Sequence, residues 1–570
     1  MTALLITASL LAAERTVVVP PADGAALKIY GPAETSLIDK PGGQALRVAV
    51  PEAGDKPWAV VAHTPVSVAA VNRDDLLVLS VRVKTDGPTG VVPVFAEAVE
   101  QVKDGSKGAA FQPTGELRTY RTSVLCPGDF EAGNFRVAIH LAQQAQTIEL
   151  HEVSLESYPA GTRFEDLGID SIQWAGKEPD APWRAEAAER IDRLRKAPLT
   201  VTVTDPEGQP VEGAAVKVEQ VRHAWRFGTF VGPTLLEDSE DGERYRQIVR
   251  ERYNFLTLPA YLADWGWRND ANRVKYFRMA DWARREGIPA RGHLLVYPGW
   301  TATPAEWFDI PRDQTRANME KHIPRAIRVF KERGVTEWDV TNELRYNREF
   351  MAEVGGVEVA AEWFKLARKE LPEGTLFLNE TIILPNGGRT ETEQRIYEEQ
   401  IDLLLSKGAP IDGLGMQGHF TNELTPARKI WEILNRFAKF DKPILITEFD
   451  MANDDKAAQA AYLRDFYTAL FAHESVIGVV QWQFWEGDMW QPQGHHFTRD
   501  WQETALAKSY RDLVYGDWWT RAGGASDADG RFATRAFRGT QRVTVKHGDY
   551  EWTGEVEVPD GGGAVTVSVP

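Results

Sequence analysis

Cysteine and positive charge are both scarce in this sequence, and each shortage excludes a class of site. Cys126 is the single cysteine among 570 residues, so no disulfide can form within the chain and no zinc site can be built from clustered cysteines. Lysine and arginine number 65 against 83 aspartate and glutamate residues, which gives a formal net charge of −18. Because phosphate binding requires clustered basic side chains, this balance argues against nucleic acid and anionic membranes as partners.

Long apolar runs are lacking as well. The stretch from Met1 to Ala13 is too short to cross a bilayer, but it is typical of the apolar core of a signal peptide. We therefore predict a signal peptide over residues 1–15 and a secreted protein, although the usual positively charged start is missing. A buried first strand or a misassigned start is the alternative interpretation.

Tryptophan, by contrast, is abundant, with 19 residues. A tryptophan ring can stack on a flat ligand, but it also fills the core of a large domain. Because a chain of this length is too long for one hydrophobic core, we expect two to four domains.

Residues 16–160 consist of short runs of β-branched residues separated by glycine, proline and aspartate, such as LRVAV at 46–50 and LLVLSVRVKT at 76–85. This pattern predicts an antiparallel β-sandwich. It resembles the jelly-roll, carbohydrate-binding modules that precede many polysaccharide hydrolases. The resemblance makes Trp58 and Tyr120 candidate sugar platforms, with packing in the core as the alternative for both.

The residues on either side of the central region show weaker patterns. Residues 161–225 predict a linker made of a helix, at 181–196, and a β-hairpin within 199–221 whose strands flank a DPEG turn. The glycine-rich residues 518–570 predict a small β-sandwich-like cap.

Residues 226–517 alternate between strands and helical segments, which indicates βα units and a parallel sheet. Eight such repeats in a stretch of this size predict a (β/α)8 barrel, also called a TIM barrel. The predicted strands lie at 227–231, 255–258, 290–296, 337–343, 376–381, 413–420, 443–450 and 477–485.

Two of these strands end in carboxylates with informative neighbours. The fourth ends in WDVTNE at Glu343, and the seventh ends in ITEFD around Glu448. Strands four and seven lie on opposite sides of the barrel rim, where active sites of this fold are built. Glycoside cleavage needs one acid that protonates the leaving oxygen and one carboxylate at the anomeric carbon. The pair therefore predicts a glycosidase, whereas one strand-end glutamate alone would more simply form a surface salt bridge.

The barrel motifs resemble glycoside hydrolase family 10, the family of endo-β-1,4-xylanases. The matching segments are, in order, FGTFV, RGHLLV, WDVTNE, IDGLGMQGHF and ITEFD. The resemblance implies a retaining double displacement on xylan, with Glu343 as acid/base and Glu448 as nucleophile. It also implies substrate-binding or supporting roles for Asn342, His293, Gln417, His419, Asp450, Trp482, Trp490 and Asn379.

The side of the site that would hold the glycone sugars departs from the family pattern. The second strand continues as PAYLADW and lacks the usual Glu-Asn and Lys, and the third ends in Tyr297-Pro298 instead of Trp-His. After the fifth strand, the usual Asn-Asp becomes Asn379-Glu380. Lost hydrogen-bonding groups change which sugar a site accepts, so another β-glycan or a decorated oligosaccharide is an alternative to xylan. Candidate replacement residues are Tyr261, Trp265, Trp267, Arg268 and Asn269.

A non-catalytic carbohydrate-binding protein is the alternative from another functional class, because the lost glycone residues could reflect decay. We favour the enzyme, since Glu343, Glu448 and their expected neighbours are all retained. The sequence shows no metal-ligand spacing and no nucleotide- or phosphate-binding motif, so we expect no metal and no cofactor. We expect a monomer whose partner is a polysaccharide or oligosaccharide, with neither nucleic acid nor a membrane involved.

Overall fold

The computed structural model describes residues 15–87, 90–100, 107–111, 113, 115, 117–162, 167, 172, 174–261, 270–299, 310–346, 348–453 and 455–570. The predicted signal peptide lies outside the described residues, apart from Arg15. The chain divides into two compact units. One contains the described residues up to Lys177 together with Asn422–Lys429, and the other contains Glu178–Thr421 with Ile430–Pro570.

The first unit is a β-sandwich. Its strands span Thr16–Asp23 (β1), Lys28–Tyr30 (β2), Glu34–Lys40 (β3), Gly43–Val50 (β4), Val61–His63 (β5), Leu76–Thr85 (β6), Val92–Ala98 (β7), Lys107–Phe111 (β8), Arg118–Leu125 (β9), Phe135–His140 (β10) and Gln146–Tyr158 (β11). One antiparallel sheet has the order β3-β4-β11-β6-β9, with β1 also paired to β11, and the other has the order β2-β5-β10-β7-β8.

Alternation along the strands explains the sandwich. In β10, Phe135, Val137 and Ile139 point into the core between the sheets, whereas the residues between them face outward, because successive side chains of a strand alternate. The two candidate sugar platforms differ. Tyr120 is 4% exposed and packs on a core phenylalanine, so it is a core residue, whereas Trp58 is 55% exposed.

The second unit opens with a helix, Pro182–Arg195 (α1), and two strands, Lys196–Thr204 (β12) and Ala215–His223 (β13). Eight parallel strands then close into a barrel in sequence order. They span Arg226–Phe230 (β14), Phe255–Pro259 (β15), Ala290–His293 (β16), Glu337–Asn342 (β17), Thr375–Glu380 (β18), Gly413–Phe420 (β19), Ile444–Met451 (β20) and Val476–Gln481 (β21).

Helices follow the barrel strands along the chain. They span Glu240–Arg252 (α2), Asp270–Arg285 (α3), Arg312–Lys331 (α4), Arg348–Val354 (α5), Val359–Glu370 (α6), Glu391–Ser406 (α7), Ala427–Ala438 (α8), Lys456–Phe471 (α9) and Ala505–Asp512 (α10). Every residue of β17 and β20 is buried, as expected for parallel strands covered on both faces. The predicted (β/α)8 barrel is confirmed, as are its flanking β-rich regions. Among the described residues, no helix combines the length and apolar character needed to span a membrane.

The chain ends in five further strands, Arg521–Ala525 (β22), Arg531–Phe537 (β23), Gly539–His547 (β24), Tyr550–Val558 (β25) and Gly563–Ser568 (β26). The predicted DPEG turn does reverse the chain, and the N–H of Val211 donates to the carbonyl oxygen of Val203 at 3.0 Å, but β12 and β13 do not pair along their length as a hairpin would. The two strands belong to different sheets, because β12 lies between β23 and β26 while β13 lies between β22 and β24. The segment predicted as a linker thus completes the C-terminal β-sandwich.

Candidate active site

The carboxyl ends of the barrel strands surround a cavity of about 670 Å³. Active sites of TIM barrels lie at this end. Glu343, from the end of β17, and Glu448, from β20, both line it. The described residues that line it are Tyr261, His293, Leu294, Tyr297, Asn342, Glu343, Tyr346, Thr381, Ile382, Pro385, Asn386, Gln417, His419, Thr421, Glu448, Trp482 and Trp490.

Glu448 is 4% exposed and is held through both of its carboxylate oxygens. Oε1 accepts a hydrogen bond from Nδ2 of Asn379 at 2.9 Å, and Oε2 lies 3.2 Å from Nε2 of His419. The other ring nitrogen of His419, Nδ1, lies 2.9 Å from Oδ1 of Asp450. Asp450, His419 and Glu448 therefore form a continuous chain of ion pairs at the cavity wall.

These contacts determine whether Glu448 is ionised. Burial by itself raises the pKa of Glu448, but the charge of His293 and the hydrogen bonds from His419 and Asn379 lower that pKa below its ordinary value. Burial by itself lowers the pKa of His419, but the charge of Asp450 and the hydrogen bonds to Asp450 and Glu448 raise it to about 10. At neutral pH, His419 is thus a cation and Glu448 an ionised carboxylate, the form that a nucleophile requires.

A β-bulge helps to orient Glu448. Strands β19 and β20 pair Met416 with Ile446 and then Gln417 with Glu448, so that Thr447 is the extra residue. Such an insertion re-aims the side chains around it. The Thr447 hydroxyl donates to Oδ1 of Asn379 at 2.7 Å, while the adjacent Glu448 accepts from Nδ2 of the same amide. Two consecutive residues therefore fix one amide, which in turn fixes the carboxylate.

Glu343 directly follows β17 and has a φ of +58°, which is uncommon for a residue with a side chain. Its backbone N–H donates to the carbonyl oxygen of Asn379 at 3.1 Å. Oε1 accepts hydrogen bonds from Nε2 of Gln417 at 2.8 Å and from Nδ2 of Asn342 at 3.3 Å. Oε2 accepts one from the Tyr297 hydroxyl at 2.8 Å. The carboxylate is therefore held at both oxygens, as that of Glu448 is.

Three amides connect the two carboxylates. Oδ1 of Asn342 accepts hydrogen bonds from Nε2 of Gln417 at 3.2 Å and from Nδ2 of Asn379 at 2.7 Å. Gln417 and Asn342 also contact Glu343, and Asn379 contacts Glu448. The positions of the two carboxylates are thus mutually dependent, although their strands lie on opposite sides of the rim.

Aromatic rings form another part of the wall. The ring of Trp482 lies 5.2 Å from that of His293 and 6.2 Å from that of His419. Trp490 is 59% exposed, and its Nε1 donates to Oδ2 of Asp450 at 3.0 Å. Nδ1 of His293 lies 2.9 Å from Oδ2 of Asp339. Of the ten predicted site residues, eight line the cavity, while Asp450 and Asn379 are fully buried behind it.

Two residues near Glu343 received no role from the sequence. One is Tyr297, which contacts Glu343 directly. The other is Glu380, which is 1% exposed and accepts hydrogen bonds from the backbone N–H groups of Thr381 at 2.9 Å and Arg345 at 3.2 Å. Burial raises the pKa of Glu380 to about 8. Both positions depart from the family pattern at strand ends, and this departure is the feature of the sequence that could have drawn attention to them.

The predicted replacement surface on the glycone side is described only at Tyr261. This ring lines the cavity, 5.8 Å from the ring of His293 and 6.5 Å from that of Tyr276. The other four candidates, Trp265, Trp267, Arg268 and Asn269, lie outside the described residues. Within the described part of the chain, no group of three or more His, Cys, Asp or Glu side chains is arranged to hold a metal ion.

Comparison with known proteins agrees with this geometry. Residues 218–510 match the model of the family described as glycosyl hydrolase family 10. The chain belongs to glycosyl hydrolase family 10. The resemblance seen in the barrel motifs is thereby confirmed, and the family 10 match ends within α10, before the C-terminal strands.

The individual proteins compared with this chain are distant in sequence. The chain is 28% identical over 379 residues to anti-sigma-I factor RsgI6 of Acetivibrio thermocellus, covering 65% of this chain and 48% of the relative. It is 26% identical over 362 residues to endo-1,4-beta-xylanase 1 of Arabidopsis thaliana, covering 62% and 37%. The chain thus spans less than half the length of these two curated relatives. Xylanase 10B of Thermotoga petrophila in complex with xylobiose is 20% identical, with a TM-score of 0.46, over 52% of this chain and 95% of that one.

Proposed function

We propose that this protein is a retaining endo-1,4-β-xylanase. The observation that most supports the proposal is the placement of Glu343 and Glu448 from opposite barrel strands in one cavity, with Glu448 paired to the cationic His419. A retaining glycosidase needs one carboxyl group that can donate a proton and one ionised carboxylate that attacks. The Arabidopsis relative is named an endo-1,4-beta-xylanase, which makes xylan the first substrate to test.

The contacts suit a two-step reaction. In the first step, Glu343 gives its proton to the glycosidic oxygen while a carboxylate oxygen of Glu448 attacks the anomeric carbon. The carbon–oxygen bond to the leaving chain breaks, and an ester between the sugar and Glu448 forms. In the second step, Glu343 takes a proton from water, the water oxygen attacks the anomeric carbon, and Glu448 leaves as a carboxylate. The cationic His419 stabilises Glu448 whenever it is ionised.

A different β-glycan, or a decorated oligosaccharide, is the second candidate substrate. The observation that favours it is Tyr261, which lines the cavity and belongs to the segment PAYLADW, where the family's usual Glu-Asn and Lys are missing. A change in the groups that contact a sugar alters the discrimination between sugars, by orders of magnitude in favourable cases.

The experiment is product analysis on a panel of purified polysaccharides that includes xylan, glucuronoxylan, mixed-linkage β-glucan and mannan. We expect xylo-oligosaccharides that retain the β-anomeric configuration, as followed by proton NMR during the first minutes of hydrolysis. Cleavage of another β-glycan with retention would support the proposed mechanism but show that the substrate is not xylan. An initial α-anomer, or no cleavage of any polymer or aryl β-glycoside, would contradict the proposal.

We propose further that the N-terminal β-sandwich binds carbohydrate on the outer face of the β2-β5-β10-β7-β8 sheet. Aromatic rings line this face: the ring of His140 lies 6.0 Å from that of Trp58 and 4.6 Å from that of Phe95, and Tyr30 lies 5.2 Å from His63. Trp58 and Tyr30 are each more than half exposed. Such rings offer flat surfaces for the apolar faces of sugar rings.

The same face also offers polar groups. Glu97, 6% exposed, accepts a hydrogen bond from Nε of Arg136 at 2.9 Å, and its Oε1 lies 3.9 Å from Nε2 of His63. Sugar-binding surfaces need such groups beside the rings, because hydroxyls must be hydrogen-bonded when they leave water. Binding should be measured by calorimetry on xylohexaose in the Glu448→Ala background, with one site fitted to the catalytic cavity and a second to the β-sandwich. We expect Trp58→Ala to weaken binding at the second site at least about tenfold, and Leu125→Ala, an exposed apolar residue of the other sheet, to leave both sites unchanged.

Secretion also remains a proposal. We propose that the protein is exported, since a wall polysaccharide is too large to reach an enzyme inside a cell. Support comes from the apolar N-terminal stretch in the sequence. Expression of the chain with and without residues 1–15 tests it: export of the longer form alone is expected, and equal retention of both inside the cell would contradict the proposal.

A further inference from the structure

Tyr297 lies on the rim beside Glu343 because the barrel ladder continues past the end of β16. The N–H of Val296 donates to the carbonyl oxygen of Val340 at 3.1 Å, and the N–H of Asn342 donates to the carbonyl oxygen of Val296 at 3.2 Å. These parallel contacts bring residue 297 level with the end of β17. The Tyr297 hydroxyl can therefore reach Oε2 of Glu343, at 2.8 Å.

The two oxygens of Glu343 differ in which of them can hold a proton. Oε1 accepts hydrogen bonds from the side-chain amide nitrogens of Gln417 and Asn342. An amide N–H can donate but cannot accept, so a proton on Oε1 would oppose both contacts. A hydroxyl can do either. Oε2, which faces the Tyr297 hydroxyl, is therefore the oxygen that can be protonated without losing a hydrogen bond.

We propose that Tyr297 is a positioning residue that holds the acid/base Glu343 with its proton on Oε2. The proposal rests on the proposed function, in which Glu343 is that acid/base. When Glu343 is ionised, the hydroxyl donates to Oε2. When Glu343 is protonated, its O–H donates to the phenol oxygen until the glycosidic oxygen of the substrate arrives. The proton then moves from Oε2 to that oxygen, and Tyr297 keeps its own proton throughout.

A hydrogen bond to an ionised carboxylate is stronger than one to the neutral acid. Loss of the Tyr297 hydroxyl should therefore favour the protonated form of Glu343 and raise its pKa. Other titratable or charged groups around Glu343 include Glu380, from the end of β18, and Arg345 and Tyr346 on its own loop, with Glu448, His419 and His293 in the same cavity wall. These groups are the same in wild type and variant, so a difference between the two isolates the phenol.

The test compares Tyr297→Phe with Tyr346→Phe, which removes a phenol from the same cavity. The substrates are phenyl β-xylobioside, whose leaving group needs protonation, and 2,4-dinitrophenyl β-xylobioside, whose leaving group does not. For Tyr297→Phe we expect kcat/KM to fall about tenfold or more on the phenyl substrate and less than about threefold on the other. We also expect the alkaline limb of kcat/KM to move up by about one pH unit. Tyr346→Phe should leave that limb in place.

A second measurement does not depend on turnover. Carboxyl-labelled glutamate allows the pKa of Glu343 to be followed by ¹³C NMR, with Glu343→Gln identifying its signal. The pKa should rise in Tyr297→Phe and fall when residue 297 is 3-fluorotyrosine, whose more acidic phenol is a stronger donor. An unshifted pKa, with equal losses on the two substrates, would overturn the proposal. If wild type cleaves neither substrate, the proposed function fails while this titration still tests Tyr297.

Discussion

The two carboxylates of the cavity are each held at both oxygens, but by different kinds of group. Glu448 faces the cationic His419, which is itself paired with Asp450. Glu343 is held by two amides and a phenol, which are neutral. The buried Glu380, which burial keeps protonated at neutral pH, lies close to Glu343 and adds no cation.

This difference teaches that charge, rather than position, separates the two roles. Both glutamates lie at the carboxyl ends of barrel strands, and both accept amide hydrogen bonds. A cation beside a carboxylate favours its ionised form, and neutral donors favour it less. The fold therefore supplies two similar positions, and the neighbouring side chains keep Glu448 ionised, as the proposed nucleophile must be.

The largest effect on activity is expected at Glu448, the proposed nucleophile. Glu448→Gly should lower kcat by on the order of 10⁵-fold or more on every β-glycoside, because no covalent intermediate can form. Added azide should restore turnover by attacking from the vacated side and should yield an α-glycosyl azide, identified by NMR. Wild type with azide is the control. A β-azide product would assign the nucleophile to another residue.

The acid/base should show a smaller loss that depends on the leaving group. Glu343→Ala should lower kcat/KM by about 10²- to 10⁴-fold on phenyl β-xylobioside. On the dinitrophenyl substrate the first step needs little protonation, so kcat/KM should change far less. Azide should here yield the β-glycosyl azide. Equal losses on both substrates would show that Glu343 is not the proton donor.

Removal of the cation should make the surroundings of Glu448 resemble those of Glu343. His293 and Asn379 also lower the pKa of Glu448, but His419→Gln removes both a charge and a hydrogen bond that lower it, so that pKa should rise. Because the ionised form is needed, the acidic limb of kcat/KM should move to higher pH by about one to two units, with a tenfold to hundredfold loss below it. His473→Gln is the matched control, since His473 is also buried but contacts Asn435 away from the cavity. If the acidic limb did not move, His419 would not be a residue that lowers the pKa of Glu448.

The barrel could be predicted from the sequence because its evidence is local. Each strand is an apolar run between helical segments, and WDVTNE and ITEFD mark two strand ends, so the positions of Glu343 and Glu448 followed directly. The pairing of β12 and β13 could not be predicted in the same way. Their partners β22, β23, β24 and β26 are all more than about 300 residues away in the sequence. A DPEG turn indicates a reversal of the chain but does not say whether the two strands join the same sheet.

The contact between Tyr297 and Glu343 was also beyond local reasoning. The sequence showed that the usual Trp-His was replaced, which indicated a loss of sugar contacts. It did not show that the new hydroxyl lies 2.8 Å from a carboxylate on the next strand, because that distance depends on how far the β16–β17 ladder continues. The motifs thus named residues that the structure places around one cavity. The difference in charge around Glu343 and Glu448 could not be predicted from the motifs and became visible only in the structure.

The smallest expected effect is on stability, and it has opposite signs for two glutamates. The pKa of Glu380 is raised in the folded state, so its contribution to the free energy of unfolding is fully present below the ordinary pKa of 4.5 and is lost as pH rises through about 8. The pKa of Glu448 is lowered, so its contribution is present above 4.5 and is lost as pH falls.

The melting temperature of wild type relative to Glu380→Gln should therefore decline by a few degrees from pH 5 to pH 9. Relative to Glu448→Gln it should decline from pH 6 to pH 3. Differential scanning calorimetry measures both differences in melting temperature. If they changed with pH in the same way for the two variants, the opposite pKa shifts of Glu380 and Glu448 would be contradicted.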